Sequence, residues 1–269
     1  MDTASISSRS LYAQLGSDHA PLIFDVRRGE AFDSDDSMIA GALRPAGDLV
    51  SFARSHARGR PLAVYCVRGH EVSQEATRVL SRAGHETLFL EGGIEAWRAA
   101  AFPTMRRRPE WRVPGGSRWI TRERPKIDRV ACPWLISRFI DPLARFDYVA
   151  KDRVLDEAKA RDAVAYDLPG GAVTHRGERC SFDALIEDFA LRDAALDHLA
   201  TIVRGADTGR PDLAPQCAGL LAASLGLSRR FARDLEMLEH AMPMYDGLYA
   251  WCRAEADGVA ERHGWTPPA

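Results

Sequence analysis

Short apolar runs alternate with helical periodicity through the first part of the chain. Leu22-Ile23-Phe24, Leu62-Ala63-Val64-Tyr65 and Leu88-Phe89-Leu90 are apolar without interruption, the pattern of strands buried on both faces in a parallel sheet. Between the second and third runs, Val72, Ala76, Val79 and Leu80 recur at helical spacing. A short helix is predicted over 8–15 and a turn over 16–21. From 98 to 130 the pattern lapses, and Pro103, Pro109, Pro114, Gly115 and Gly116 break any regular element. Strands then read at 117–121, 145–149 and 163–168. A helix should begin between Asp128 and Cys132, because Pro133 suits only a first turn. Helices follow over 181–190, 193–204, 212–226 and 228–262. The expectation is an α/β domain over 1–105, a linker over 106–116 and an α+β, helix-rich domain over 117–269.

The length, 269 residues, allows each domain its own core. With 46% hydrophobic residues, 28% charged residues and a net charge of −2, the composition is that of an ordinary soluble protein. No apolar run approaches the roughly 18 residues of a membrane span, so no membrane partner is expected. The N-terminal Met-Asp-Thr-Ala-Ser-Ile-Ser-Ser lacks a charged-then-apolar leader, and the expected location is the cytoplasm. Cys66, Cys132, Cys180, Cys217 and Cys252 include no Cys-x-x-Cys pair, which argues against a disulfide framework and a zinc ribbon. Arg106, Arg107, Arg108, Arg112, Arg118, Arg122, Arg124, Lys126 and Arg129 face only Glu110, Glu123 and Asp128. Such a run either contacts nucleic acid or neutralises acidic faces of its own domains, and with no interleaved aromatic pattern and no recognition-helix pattern the second is preferred.

Cys66 carries the clearest chemistry. It closes an apolar strand and opens the polar loop Cys66-Val67-Arg68-Gly69-His70-Glu71 before the next helix. Such a loop can turn its N–H groups inward, and together with the helix N-terminus they would stabilise a thiolate or persulfide anion. The plainer alternative is a small core cysteine. Asp25 and Arg27 end another strand; they either orient the rim of this site or form a structural salt bridge. Together with Ile39-Ala40-Gly41-Ala42 and Glu91-Gly92-Gly93-Ile94-Glu95-Ala96-Trp97, these pieces resemble the rhodanese (sulfurtransferase) family over residues 8–103.

The resemblance implies a parallel sheet with helices on both faces, Cys66 as the sulfur-carrying nucleophile, and residues Val67 to Glu71 around the substrate. It also implies a small sulfur donor, a thiol acceptor, and a structural role for Asp25 and Arg27. Many members read His-Ile-Pro-Gly-Ala where this chain has Met38-Ile39-Ala40-Gly41-Ala42. The six-residue loop is similar to that of the sulfur-transferring members rather than the longer loop of the phosphatases. Thiosulfate users carry Arg or Lys where this chain has Glu71. A carboxylate there would repel a dianionic donor, with Arg68 and His70 as the remaining positive charges.

The second half resembles the C-terminal domain of the chromate-resistance protein B (ChrB) family. Trp119-Ile120-Thr121, Asp128-Arg129-Val130-Ala131-Cys132-Pro133-Trp134, Thr174-His175-Arg176-Gly177-Glu178-Arg179-Cys180 and Val203-Arg204-Gly205-Ala206-Asp207 carry the likeness. The family implies a sensor or accessory role in chromate resistance. From the residues themselves, His175 with Asp128, Asp207 and Glu178 forms a candidate set for zinc, iron or manganese, against the alternative of a hydrogen-bonded structural histidine. Arg129, Arg176 and Arg179 are candidates for a chromate or sulfate pocket, against ordinary surface pairing. Cys132 is either a thiol activated at a helix N-terminus or a small buried filler; Cys217 and Cys252 read as core, and Asp246 stands out as a polar residue off the core pattern. Two functions are consistent with these features: sulfur transfer through a Cys66 persulfide coupled to an oxidant-resistance domain, or a metal- or oxyanion-sensing regulator with nucleic-acid contact.

Overall fold

The structure, a computed structural model, describes residues 3–111, 115–259 and 264. Arg112 and Pro114 of the expected linker, and the end of the helix expected to reach 262, lie outside the described residues. In the first half the elements run β1 (Ser5–Ile6), α1 (Ser8–Gln14), β2 (Leu22–Asp25), α2 (Gly29–Asp33), β3 (Ser37–Ile39), α3 (Leu49–His56), β4 (Leu62–Tyr65), α4 (Glu71–Arg82), β5 (Thr87–Leu90), α5 (Gly93–Ala99) and β6 (Thr104–Arg106). Four strands form a parallel sheet in the order β1-β5-β4-β2. β3 and β6 pair antiparallel beside it.

The uninterrupted apolar runs are explained by burial on both faces. Leu22, Phe24, Leu62 and Val64 point to one side, where they pack with Phe52 and Ala53 of α3 and Leu80 of α4. Ile23, Ala63 and Tyr65 point to the other, into a core with Leu11 of α1 and Trp97 of α5. α3 was not apparent in the apolar pattern, because it buries only Phe52 and Ala53, too sparse a stripe for periodicity to register.

In the second half the order is β7 (Arg118–Arg122), α6 (Asp128–Leu135), a π-helical turn (Ile136–Ile140), β8 (Arg145–Val149), a 3-10 turn (Lys151–Arg153), α7 (Val154–Arg161), β9 (Val164–Ala165), α8 (Ser181–Asp188), α9 (Ala194–Asp207), α10 (Cys217–Arg230) and α11 (Asp234–Ala256). The strands pair in the order β8-β7-β9, all parallel. Four helices come after them, giving the helix-rich half expected. Pro133 lies inside α6, past the first turn. A proline there withholds the amide that would serve the carbonyl four residues back, and the Tyr166 hydroxyl donates to that Arg129 carbonyl at 3.3 Å instead. No described helix is long and apolar enough to cross a membrane.

The two halves share one core. A single apolar cluster joins Leu11, Leu15, Ile23 and Trp97 to Trp119, Trp134, Phe139, Phe189 and Tyr249. The Gly41 amide donates to the Phe139 carbonyl in the π-helical turn at 2.6 Å. Gly41 has φ +73°, and a Cβ on it would sit 2.9 Å from the Arg138 carbonyl oxygen, so only glycine allows this approach. The hydroxyls of Tyr12 and Tyr249 both donate to Asp193, at 2.8 and 3.0 Å, and Arg253 donates to the Tyr12 carbonyl at the end of α1. The residues expected as a linker take part. Arg106 donates its amide to the Phe189 carbonyl, Arg108 bonds the Asp188 carbonyl, and Arg107 lies over the Phe32 ring.

Urea unfolding monitored by tryptophan fluorescence and by circular dichroism should give one coincident transition, because one apolar cluster runs through both halves. Gly41→Ala should lower stability by about 1–3 kcal/mol and shift that whole transition rather than splitting it.

Candidate functional site

Cys66 directly follows β4, and the chain then curls through residues 67–70 before α4 starts at Glu71. The N-terminus of α5 supports the loop: the Ile94 amide donates to the Cys66 carbonyl at 3.0 Å and the Glu95 amide to the Val67 carbonyl at 3.1 Å. Gly69 (φ +70°) and Gly93 (φ +58°) make the contact close enough. A Cβ on Gly69 would lie 2.7 Å from the Gly92 nitrogen, and one on Gly93 would overlap the Cys66 carbonyl oxygen. The Glu91–Gly92–Gly93 stretch is thus the floor on which the cysteine loop rests.

The Cys66 sulfur lies 3.2 Å from the Ser73 hydroxyl, whose single proton can turn either to the sulfur or to the His70 carbonyl at 3.1 Å. Burial opposes ionisation of the thiol. The Ser73 hydroxyl and the backbone N–H groups of Ser73, Arg68 and His70 outweigh it and draw the pKa below the ordinary value. The other cysteines differ. Cys132 and Cys180 are fully buried, and burial together with the Asp128 carboxylate pushes both thiols up. Cys132 sits within α6 rather than at its start, so it is the buried filler and not an activated thiol. Burial pushes Cys252 up to about 12, and Cys217 is buried in α10.

Around Cys66, Arg68 is exposed and paired with Glu95 at 3.1 Å, Val67 is half-buried, and His70 and Glu71 are exposed. Asp25 and Arg27 are buried in a network of their own. Arg27 binds Asp25 at 2.6 Å and Asp35 at 2.6 Å, and the Tyr65 hydroxyl donates to Asp25 at 2.7 Å. They hold the end of β4, one residue before Cys66, and act as structural bracing.

A second constellation lies at the carboxyl ends of β7 and β9. Asp128 opens α6, Asp167 comes after β9, His175 lies in the next loop and Asp207 ends α9. The His175 Nε2 is 3.5 Å from Asp128, 3.2 Å from Asp167 and 3.4 Å from Asp207. Asp128 also caps α8, taking the Ser181 and Phe182 amides at 2.8 and 2.9 Å. Asp167 takes the Ser181 hydroxyl at 3.1 Å and faces Arg122 and Arg129, each at 3.3 Å. The hydrogen bond that His175 donates to Asp128, against an opposing effect of burial and with the charges of Asp128, Asp167 and Asp207, raises the His175 pKa to about 9. Burial, with Asp128 and Asp167 nearby, raises Asp207 to about 6.

Of the residues singled out for a metal, the structure brings Asp128, His175 and Asp207 together. Glu178 does not join them: it is exposed in the turn between Arg176 and Arg179. Asp167 takes the place next to them and was missed, although the rule that ligands gather at the carboxyl ends of parallel strands points to it. The three oxyanion candidates do not converge. Arg129 faces Asp167, Arg176 pairs with Glu187 and Asp188 of α8, and Arg179 is exposed. Asp246 is structural, accepting from Trp134 at 2.7 Å and Arg138 at 2.8 Å. Other arginines of the basic run are matched as well: Arg118 pairs with Asp147, and Arg124 bonds carbonyls of α10 and its C-terminal end.

A family model described as the ChrB C-terminal domain matches residues 119–252, and one described as the rhodanese-like domain matches residues 7–100. The chain joins a rhodanese-like domain to a ChrB C-terminal domain. Protein ChrB of Cupriavidus metallidurans is 36% identical over 135 residues, covering 50% of this chain and 40% of that protein's length. Among solved structures, a rhodanese-related protein from Thermoplasma volcanium is 28% identical, with 38% of this chain and 96% of that one covered and a TM-score of 0.30. The rhodanese-like domain of an Anabaena sp. protein is 33% identical, with 44% and 88% covered and a TM-score of 0.34. The two family matches meet the two sites described: Cys66 lies in the rhodanese-like domain, and the Asp128–Asp167–His175–Asp207 constellation lies in the ChrB C-terminal domain.

Alkylation of Cys66 by iodoacetamide should show a pH midpoint below that of an ordinary thiol, and Ser73→Ala should move the midpoint upward. In chelator, the imidazolium of His175 stabilises the fold fully below its ordinary pKa of 6.5 and loses that contribution as pH rises through about 9. The stability gap between wild type and His175→Gln, read from urea melts, should therefore be widest at the acid end of that window and close toward its alkaline end.

Proposed function

We propose that the chain is a rhodanese-type sulfurtransferase that works through a Cys66 persulfide, with its ChrB C-terminal domain tying that chemistry to chromate or oxidant resistance. The observation that carries the reading is the Cys66 thiol. Its pKa is drawn down by the Ser73 hydroxyl and the loop N–H groups, while burial pushes up those of Cys132, Cys180 and Cys252.

The Cys66 thiolate attacks the outer sulfur of a donor R–S–SH. The donor's S–S bond breaks, RS⁻ leaves and takes up the proton of the transferred sulfur, and Cys66–S–S⁻ remains. The loop N–H groups that favour the thiolate also hold this anion. An acceptor thiolate then attacks the outer sulfur, and Cys66 leaves as thiolate, ready for another turn. Glu71 opens α4 beside this loop, where the helix N-terminus favours its charge, and Glu95 engages Arg68. That balance disfavours a dianion and favours a neutral or monoanionic persulfide as donor.

Incubation with a low-molecular-weight persulfide should add the mass of one sulfur atom to the intact protein, removable by a thiol acceptor. Cys66→Ser should reduce transfer to background; undiminished transfer in that variant would refute the reading. Glu71→Arg should raise kcat/KM for thiosulfate by at least about tenfold, since the charge change acts on a dianion at short range.

A further inference from the structure

The geometry points to a binding site for one divalent first-row metal ion in the ChrB C-terminal domain, with Asp128, His175 and Asp207 as its ligands. One ligand atom from each of these residues lies within 4.8 Å of those of the other two, and no other trio of His, Cys, Asp and Glu among the described residues is so arranged. The ligands come from separate places in the chain: the start of α6, the loop after β9 and the end of α9. Their meeting point lies at the carboxyl ends of two adjacent parallel strands, β7 and β9, where open α/β sheets characteristically hold ligands.

The surroundings orient the ligands. Asp128 is fully buried and held by the Ser181 and Phe182 amides. Asp167, 3.2 Å from the same imidazole nitrogen, is held by Ser181, Arg122 and Arg129. Fixed carboxylates of this kind form the outer shell that aligns metal ligands. Bringing Asp128, Asp167 and Asp207 around one imidazole is unfavourable unless positive charge offsets them, and a dication supplies more of it than an imidazolium. His175 and Asp207 keep 39% and 21% of their side-chain surface exposed, which opens a route for the ion from solvent.

The donor set selects the class of ion. An imidazole with carboxylate oxygens suits Mn²⁺, Fe²⁺ or Zn²⁺; calcium and magnesium prefer oxygen alone, and copper(I) prefers sulfur. The Cys132 thiol donates to Asp128 at 3.5 Å and the Cys180 thiol to Asp183 at 3.3 Å, and neither sulfur joins the trio of close ligand atoms, so the set is nitrogen and oxygen. Three protein ligands leave coordination positions open, as in metal sites that bind water or a small anion.

The test uses the full chain, stripped with chelator and titrated separately with Zn²⁺, Mn²⁺, Mg²⁺ and Ca²⁺ by calorimetry, with metal content measured after desalting. About one Zn²⁺ or Mn²⁺ per chain is expected. His175→Ala and Asp207→Asn should each weaken affinity by more than about 100-fold, and Asp167→Asn by about 10- to 100-fold. Circular dichroism checks that each variant is folded. Co²⁺ loaded into the wild type gives a readout that needs no variant: weak visible bands without a thiolate charge-transfer band are expected. The proposal is overturned if the wild type retains no transition metal, if both ligand variants retain it unchanged, if Mg²⁺ or Ca²⁺ binds equally well, or if the Co²⁺ spectrum shows thiolate ligation.

Discussion

The backbone contact between Gly41 and Phe139 sets how the molecule is put together. An amide and a carbonyl 2.6 Å apart leave no room for a side chain. The turn of the rhodanese-like half that holds Gly41 therefore lies directly on the π-helical turn of the ChrB-type half. In that turn the ladder bond runs from the Asp141 amide to the Ile136 carbonyl, one residue wider than in an α-helix, and the widened turn offers a carbonyl outward. Around this contact the core runs without a break from Trp97 through Phe139 to Tyr249. The arginines after β6 belong to the same joint. They bond carbonyls and stack on Phe32, so the stretch that reads as a basic linker is packed between the halves.

Both candidate sites obey one rule of parallel sheets and use it for opposite charges. At the end of β4, backbone N–H groups and a serine hydroxyl converge on a sulfur atom and favour an anion. At the ends of β7 and β9, carboxylates converge on an imidazole and favour a cation. The segment after each strand makes the difference. After β4 the loop turns its amides inward and is held by α5. After β7 the inward N–H groups belong to α8 and are already taken by Asp128, which leaves the remaining carboxylate surface facing His175. The shared core holds both sites in one body.

The first half was largely legible from the sequence. Strands β2 and β4 are buried on both faces and so appear as unbroken apolar runs, and the Cys66 loop and the Gly92-Gly93 turn are contiguous stretches whose chemistry is local. In the second half the helices were visible through periodicity, as were the residues of interest taken singly: Asp128, His175 and Asp207. Their meeting was not visible, because 47 residues separate Asp128 from His175 and 32 separate His175 from Asp207, and no spacing rule spans such gaps. Asp167 was hidden in a strand-like run, and Glu178 was drawn in only by its nearness to His175 along the chain. The arginines misled for the same reason: Arg176 and Arg179 are neighbours in sequence, but the turn between them sends Arg176 to α8 and leaves Arg179 in solvent. Local order and backbone chemistry are written in adjacent residues. Which distant carboxylates share an imidazole, and which glycine brings the two halves into contact, is decided only when the chain packs, because burial and charge act through space and not along the sequence.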